Sequence, residues 1–98
     1  MNFEDVLKSP SPVLLSFTAE WCEPCKWAEP IYDEVIKNFK GSMVIHKIDI
    51  DQHPEFAREY HVLSVPTIIL MKGGKETWRM KGFDTVPNMT KILGEHLK

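Results

Sequence analysis

The chain has 98 residues, enough for one domain and too few for two separate cores, so residues 1–98 are expected to fold as a single unit. Twelve basic against 14 acidic side chains leave a formal charge of −2, which removes the electrostatic footprint of a nucleic-acid binder, and 43% hydrophobic with 27% charged residues excludes the composition of a disordered chain. Two cysteines are too few for a disulfide-stapled secreted scaffold. The longest purely apolar runs, Val13 to Leu15 and Ile68 to Met71, fall far short of the roughly 20 residues of a membrane span. The opening Met1-Asn2-Phe3-Glu4-Asp5 shows neither the basic nor the apolar region of a leader, so the expected location is the cytoplasm.

A brief helix around Phe3 to Lys8 is expected to stop at Ser9-Pro10-Ser11-Pro12, because proline lacks a backbone donor and restricts the residue before it. Val13-Leu14-Leu15-Ser16-Phe17 is almost continuously apolar, which suits a strand covered on both faces by helices. Ala28, Ile31, Tyr32, Val35, Ile36 and Phe39 then recur at three- and four-residue steps and predict a helix. Gly41 stands just past its end, and Pro30 inside it is expected to kink it. Met43 to Ile50 reads as a second strand. Pro54 opens a short helix with Phe56, Ala57 and Tyr60 on one side. Thr67 to Met71 is a third strand, and Gly73-Gly74 is the hairpin that returns Lys75 to Lys81 as a fourth. Gly82 precedes a last helix with Thr85 as N-cap, Pro87 in the first turn, and Met89, Ile92, Leu93 and His96 on one face. The alternating first part implies parallel pairing and the late hairpin antiparallel pairing. Together they predict an α/β fold, a mixed four-stranded sheet with helices on both faces.

Cys22-Glu23-Pro24-Cys25 falls between a buried strand and a helix. A zinc site would need two further ligands, and His46, His53, His61 and His96 form no close second pair, so no metal is expected. A chance pair of buried small residues is the other bland reading. Against it, the first turn of a helix offers unpaired N–H groups and the positive end of the dipole, which ease ionisation of a thiol to the nucleophilic thiolate. Cys22, at the loop edge, is expected to be exposed and to attack. Cys25, one turn into the helix, is expected to be more buried and to resolve the mixed disulfide.

The run Trp21-Cys22-Glu23-Pro24-Cys25-Lys26 resembles the W-C-G-P-C-K of the thioredoxin family, with glutamate for glycine. Phe17-Thr18-Ala19-Glu20, Pro30, Lys47 to Asp51, Val65-Pro66-Thr67, Gly73-Gly74 and Gly82 continue the resemblance without gaps over nearly the whole chain. It implies a thioredoxin-like fold with Cys22 as attacking and Cys25 as resolving thiol. Trp21 would shield the motif and contact substrate, and Val65 would offer its backbone beside a cis Pro66. Gly82 would let a partner chain approach. Glu23, Pro24, Lys26, Pro30, Ser16 and Lys47 would tune the pair. The implied activity is reduction of disulfides in other proteins, with no bound cofactor and with re-reduction by a flavin-dependent thioredoxin reductase fed by NADPH. A disulfide oxidase or isomerase, and a thioredoxin-fold interaction module with idle cysteines, are the alternatives.

Three features depart from the family. Ser16 stands where it has a buried aspartate, which would leave Lys47 without its usual carboxylate neighbour. Glu23 sets a negative charge beside Cys22, partly offset by Lys26. The chain before Val13 has no room for the family's first strand, so Met43 to Ile50 becomes an open sheet edge. His46, Lys47 and Asp49 are candidate gatekeepers there, and a monomer with some tendency to self-associate is expected. Trp27 reads as a partly exposed helix residue, Trp78 as a sheet-face residue, and Asp49 and Asp51 as solvated.

Overall fold

The computed structural model describes residues 3–97. Met1 and Asn2, where the stretch read for a leader begins, lie outside them. In chain order the elements are α1 (Phe3–Lys8), β1 (Val13–Thr18), α2 (Glu23–Lys37), β2 (Val44–Asp49), α3 (Pro54–Glu59), β3 (Thr67–Lys72), β4 (Lys75–Lys81) and α4 (Val86–His96). The sheet runs β2-β1-β3-β4. β1 pairs parallel with β2 and antiparallel with β3, and β3 pairs antiparallel with β4.

The two-sided apolar character of β1 has a direct structural counterpart. Val13, Leu15 and Phe17 enter one cluster with Val6, Phe56, Tyr60 and Ile69. Leu14 points the other way, into a second cluster with Ala28, Tyr32, Val35, Met89 and Leu93. This is the period-two alternation of a strand, with α1 and α3 supplying side chains on one face and α2 and α4 on the other. Phe17, Leu14 and Leu15 are fully buried, each stabilising the fold by about 1.5–3 kcal/mol over an exposed position. Ser16 shares the face of Leu14 and so looks toward α2, the placement from which the site is built.

The elements follow the sequence pattern with informative differences. Thr85 caps α4, its hydroxyl accepting the Asn88 N–H at 3.2 Å. Phe39 lies past the end of α2, in the turn that Gly41 completes at φ +86°. His96 does not join the buried face of Met89 and Leu93. It is exposed at the end of α4, its ring 6.1 Å from that of the half-buried Trp78. The hairpin carries a bulge that no local signal announced. Leu70 pairs with Trp78 but Met71 pairs with Glu76, so Thr77 is the extra residue, its hydroxyl donating to the Leu70 carbonyl at 3.3 Å.

Candidate active site

The site begins where β1 ends. The Cys22 N–H donates to the Ala19 carbonyl at 3.2 Å, which turns the chain sharply off the strand. Cys22 then becomes the N-cap of α2, with φ −90° and ψ 106°. Its sulfur accepts the Cys25 N–H at 3.2 Å, taking up one of the orphan donors of the first turn. Pro24 sits in that turn, where its missing N–H costs nothing and its fixed φ suits the helix. Cys22 and Cys25 are joined as a disulfide with Cα atoms 5.3 Å apart.

Cys22 is not exposed as expected. It is 3% accessible and Cys25 4%, and both pack with Ala19, Ile50 and Val65. The capping geometry is the reason: a sulfur that turns back to accept from its own helix points inward. Trp21 is the exposed member of the motif, at 67%.

In front of Cys22 lies the Val65 carbonyl, its oxygen 3.6 Å from the sulfur. The Val65–Pro66 bond is cis, and Pro66 is buried. The Pro66 carbonyl accepts the Gly82 N–H at 2.7 Å, fixing Gly82 beside it. Gly82 has φ +86°, and a side chain there would project into open space, so the backbone conformation and not crowding calls for glycine. The Tyr32 hydroxyl donates to the Gly82 carbonyl at 2.6 Å, and burial pushes that hydroxyl well above the usual tyrosine range. Arg79 donates to the Tyr60 and His61 carbonyls at 2.7 and 3.4 Å, tying down the start of the loop that carries Val65. Trp21 donates through Nε1 to Asp51 at 2.9 Å, so Asp51, read as merely solvated, is a positioning partner. Glu23 and Lys26 pair at 3.5 Å, both exposed.

Beneath Cys25 a small pocket of about 10 Å³ is lined by Ser16, Thr18, Cys25, Glu29, Tyr32, Lys47 and Pro66. Ser16 is buried, as expected, but Lys47 does not lack a carboxylate. Its Nζ lies 2.7 Å from Glu29 and 3.4 Å from Asp33. The hydrogen bond to Glu29 is the main reason the Lys47 ammonium is held above its usual range, with Asp33 adding to it. The usual position on β1 holds Ser16, and α2 supplies Lys47 with acids that the sequence reading did not consider. Pro30 follows Glu29 within α2 and is exposed.

Glu29, Asp33, Tyr32, Asp51 and Arg79 are thus site residues that the sequence reading missed. Glu29 had a usable signal: it is four residues after Cys25 on one helix, hence on the same face. Tyr32 and Asp33 lie three and four residues further on and share that face, whereas Asp51 and Arg79 are brought in by contacts that no spacing reveals. Among the described residues, no group of three or more His, Cys, Asp and Glu side chains could hold a metal ion.

A family model described as Thioredoxin matches residues 1–95. The chain belongs to the thioredoxin family. A thioredoxin from Rickettsia felis is 47% identical over 73 residues, covering 74% of this chain and 70% of that one. Thioredoxin 1 from a Nostoc species is 33% identical over 94 residues, covering 96% and 88%. A bifunctional thioredoxin reductase/thioredoxin from Mycobacterium leprae is 40% identical over 98 aligned positions; they take in 89% of this chain, which spans about a fifth of that fusion, 21%. A solved structure described as a malarial protein matches at 28% identity with a TM-score of 0.81, covering 90% of this chain and 99% of that one. With the Cys22–Cys25 pair seated at a helix N-terminus, this thioredoxin-family protein is a thiol–disulfide oxidoreductase, a protein-disulfide reductase.

Proposed function

We propose that Cys22 is the attacking thiol and Cys25 the resolving thiol in the reduction of disulfides in other proteins. The observation that carries the assignment is the hydrogen bond from the Cys25 N–H to the Cys22 sulfur. A negative charge forming on Cys22 meets an amide donor and the positive end of α2, so the Cys22 thiolate is the favoured nucleophile. It attacks one sulfur of the substrate disulfide, and the other leaves as a thiolate. Cys25 then displaces the Cys22 sulfur from the mixed disulfide, and the second substrate sulfur leaves. Two electrons have passed to the substrate, and the protein is left as its disulfide.

The groove that receives the substrate consists of Trp21, Val65, Pro66 and Gly82. An extended segment lies against the Val65 backbone, in the manner of strand addition, and Gly82 leaves space beside it. The cysteine pair carries the electrons, so no bound cofactor takes part. A flavin-dependent reductase drawing on NADPH restores the dithiol, a reading supported by the fusion of both activities named for the Mycobacterium leprae relative. The protein acts in the cytoplasm as a single domain. No helix among the described residues is long and apolar enough to cross a membrane.

Dithiothreitol-driven reduction of insulin, paired with a measured reduction potential, tests this reading. A potential near the roughly −270 mV of thioredoxin supports a reductase; one near the roughly −120 mV of strongly oxidising dithiol proteins overturns it in favour of an oxidase.

The working form is a monomer whose sheet is open along β2. Among the described residues, β2 pairs only with β1. Val44 and Ile50 donate to Pro12 and Thr18 at 3.2 and 2.9 Å, so by period two the amides of His46 and Ile48 face β1 while those of Ile45, Lys47 and Asp49 face outward. Hydrogen exchange is expected to alternate along the strand, fast at 45, 47 and 49 and slow at 46 and 48. Uniform protection in a demonstrated monomer is the contrary result.

A further inference from the structure

We propose that Glu29 is the proton acceptor for Cys25 in the resolving step, acting through a water in the pocket the two residues share. The proposal rests on the reading of Cys25 as the resolving thiol.

Of the groups that face Cys25, one is fitted to take its proton. A neutral thiol attacks poorly, so the Cys25 proton must leave as its sulfur approaches Cys22. The pocket beneath Cys25 is lined by Ser16, Thr18, Glu29, Tyr32, Lys47 and Pro66. A second, more open pocket that also borders Cys25 is lined by Thr18, Ala19, Glu20, Lys26, Glu29 and Asp49. Ser16 and Thr18 have no acceptor that titrates near neutral pH. Lys47 is held as an ammonium by Glu29 and Asp33, and Lys26 is engaged with Glu23. Tyr32 keeps its proton and donates it to the Gly82 carbonyl at 2.6 Å. Asp49 accepts from the Asp51 and Gln52 amides at 2.8 and 3.3 Å, which holds its carboxylate against the β2 turn. Glu20 and Asp49 line only the open pocket, and Asp33 lines neither. Glu29 alone among the acids lines both pockets that border Cys25.

Its geometry suits the task. Glu29 follows Cys25 by four residues on α2, one turn along the same face. Its Oε1 is fixed by Lys47 at 2.7 Å, so the carboxylate is oriented and one oxygen remains for a second contact. The inner pocket, about 10 Å³, has the size of one water position, and Ser16, Glu29 and Lys47 give that water the polar partners it requires. The proton passes from the Cys25 sulfur to this water as the water gives one to Glu29. The Cys25 thiolate forms its bond to the Cys22 sulfur, the bond from Cys22 to the substrate sulfur breaks, and that sulfur leaves with the electron pair. Glu29 then returns its proton to solvent.

Mixing the reduced protein with excess 5,5′-dithiobis(2-nitrobenzoate) in a stopped-flow instrument isolates the step. A first phase caps Cys22. A second phase, independent of reagent concentration, reports attack by Cys25. In Glu29→Gln the second phase is expected to slow on the order of 10–100-fold at pH 7, at or below the roughly 100-fold lower limit of general-base assistance, because Glu29 is half exposed. Its rate should then climb by about a decade per pH unit between pH 6 and 8, tracking thiolate alone, while the parent protein shows a shallower rise. Ser16→Asp placed in the Glu29→Gln background returns a carboxylate to the same pocket and should recover part of the rate. Glu34→Gln, an exposed substitution on the same helix, should leave the second phase as it was. The sign of the effect separates a proton acceptor from a bystander. If Glu29 acted only as a charge, or only as the anchor of Lys47, its removal would favour the Cys25 thiolate and speed the second phase. An equal or faster second phase in Glu29→Gln across pH 6 to 8 overturns the proposal. The underlying assignment has its own readout: in Cys25→Ser the concentration-independent phase must vanish, and if it survives, Cys25 is not the resolving thiol and Glu29 has no role in it.

Discussion

The two sulfurs of the motif are joined, yet they look into unlike surroundings. Cys22 faces the Val65 carbonyl, with Gly82 fixed behind Val65 and Pro66 and the exposed Trp21 at the rim. Cys25 faces Ser16, Glu29, Tyr32 and Lys47 in a pocket. The front is made mainly of backbone groups held in place, and the underside of titratable and hydroxyl side chains. A partner protein always brings a backbone, so a groove that reads backbone serves many substrates. Proton handling needs side chains of particular chemistry. Tyr32 touches both regions, lining the pocket and holding the Gly82 carbonyl.

The largest effect should come from separating the two sulfurs. Cys25→Ser is expected to accumulate partner proteins as stable mixed disulfides on Cys22, while Cys22→Ser accumulates few. Non-reducing gels of each variant incubated with oxidised protein substrates check this. Equal trapping by both would erase the division between front and underside.

Tyr32→Phe tests whether the two regions are coupled. It removes the hydroxyl that satisfies the Gly82 carbonyl in a side chain only 2% exposed. The expected loss is about 1 kcal/mol or somewhat more, a fall in Tm of about 4–8 °C for a domain of this size. Weaker binding of substrate peptide should accompany it if Gly82 is positioned by that bond. A loss of stability with unchanged peptide binding would separate the regions again.

Arg79 and Glu76 bear on the front alone. Glu76 is held below the usual carboxylate range chiefly by its hydrogen bond from Arg79, so it contributes stability at neutral pH that is lost as pH falls through its depressed folded-state value. The pair is partly exposed, and its worth is expected to be no more than about 1 kcal/mol. The Tm of Glu76→Gln should therefore lie below that of the parent at pH 7 and converge with it on acidification below about pH 4. A gap that persists in acid would assign the effect to packing.

The smallest effect concerns Glu23, whose charge lies beside Cys22 but is exposed and paired with Lys26. A carboxylate there disfavours the Cys22 thiolate and so the reduced form. Glu23→Gly should make the potential less negative by about 10–20 mV, the equivalent of a partly screened interaction of about 0.5–1 kcal/mol. A potential that moves the other way, measured against glutathione, would count against the charge argument.

Much of this protein was legible before its structure because the decisive signals are local. A Cys-x-x-Cys between an apolar run and a helical pattern puts two sulfurs about one helical turn apart. The covered strands, the Gly-Gly hairpin and the Thr85 cap likewise depend on neighbours within a few residues. What the reading missed depends on residues far apart in the chain. Lys47 meets Glu29 across 18 positions, Trp21 meets Asp51 across 30, and Tyr32 meets Gly82 across 50. Each pairing follows from the way α2 crosses over to β2 or from where the loops after β2 and β4 come to rest. The burial of Cys22 and the bulge at Thr77 belong with them, since both arise from backbone geometry set by packing. Sequence alone therefore determined the elements and the reacting pair, through short-range periodicity and capping. Only the tertiary structure decided which charges surround that pair, because side-chain partners are chosen by the register and crossover of elements that no local pattern encodes.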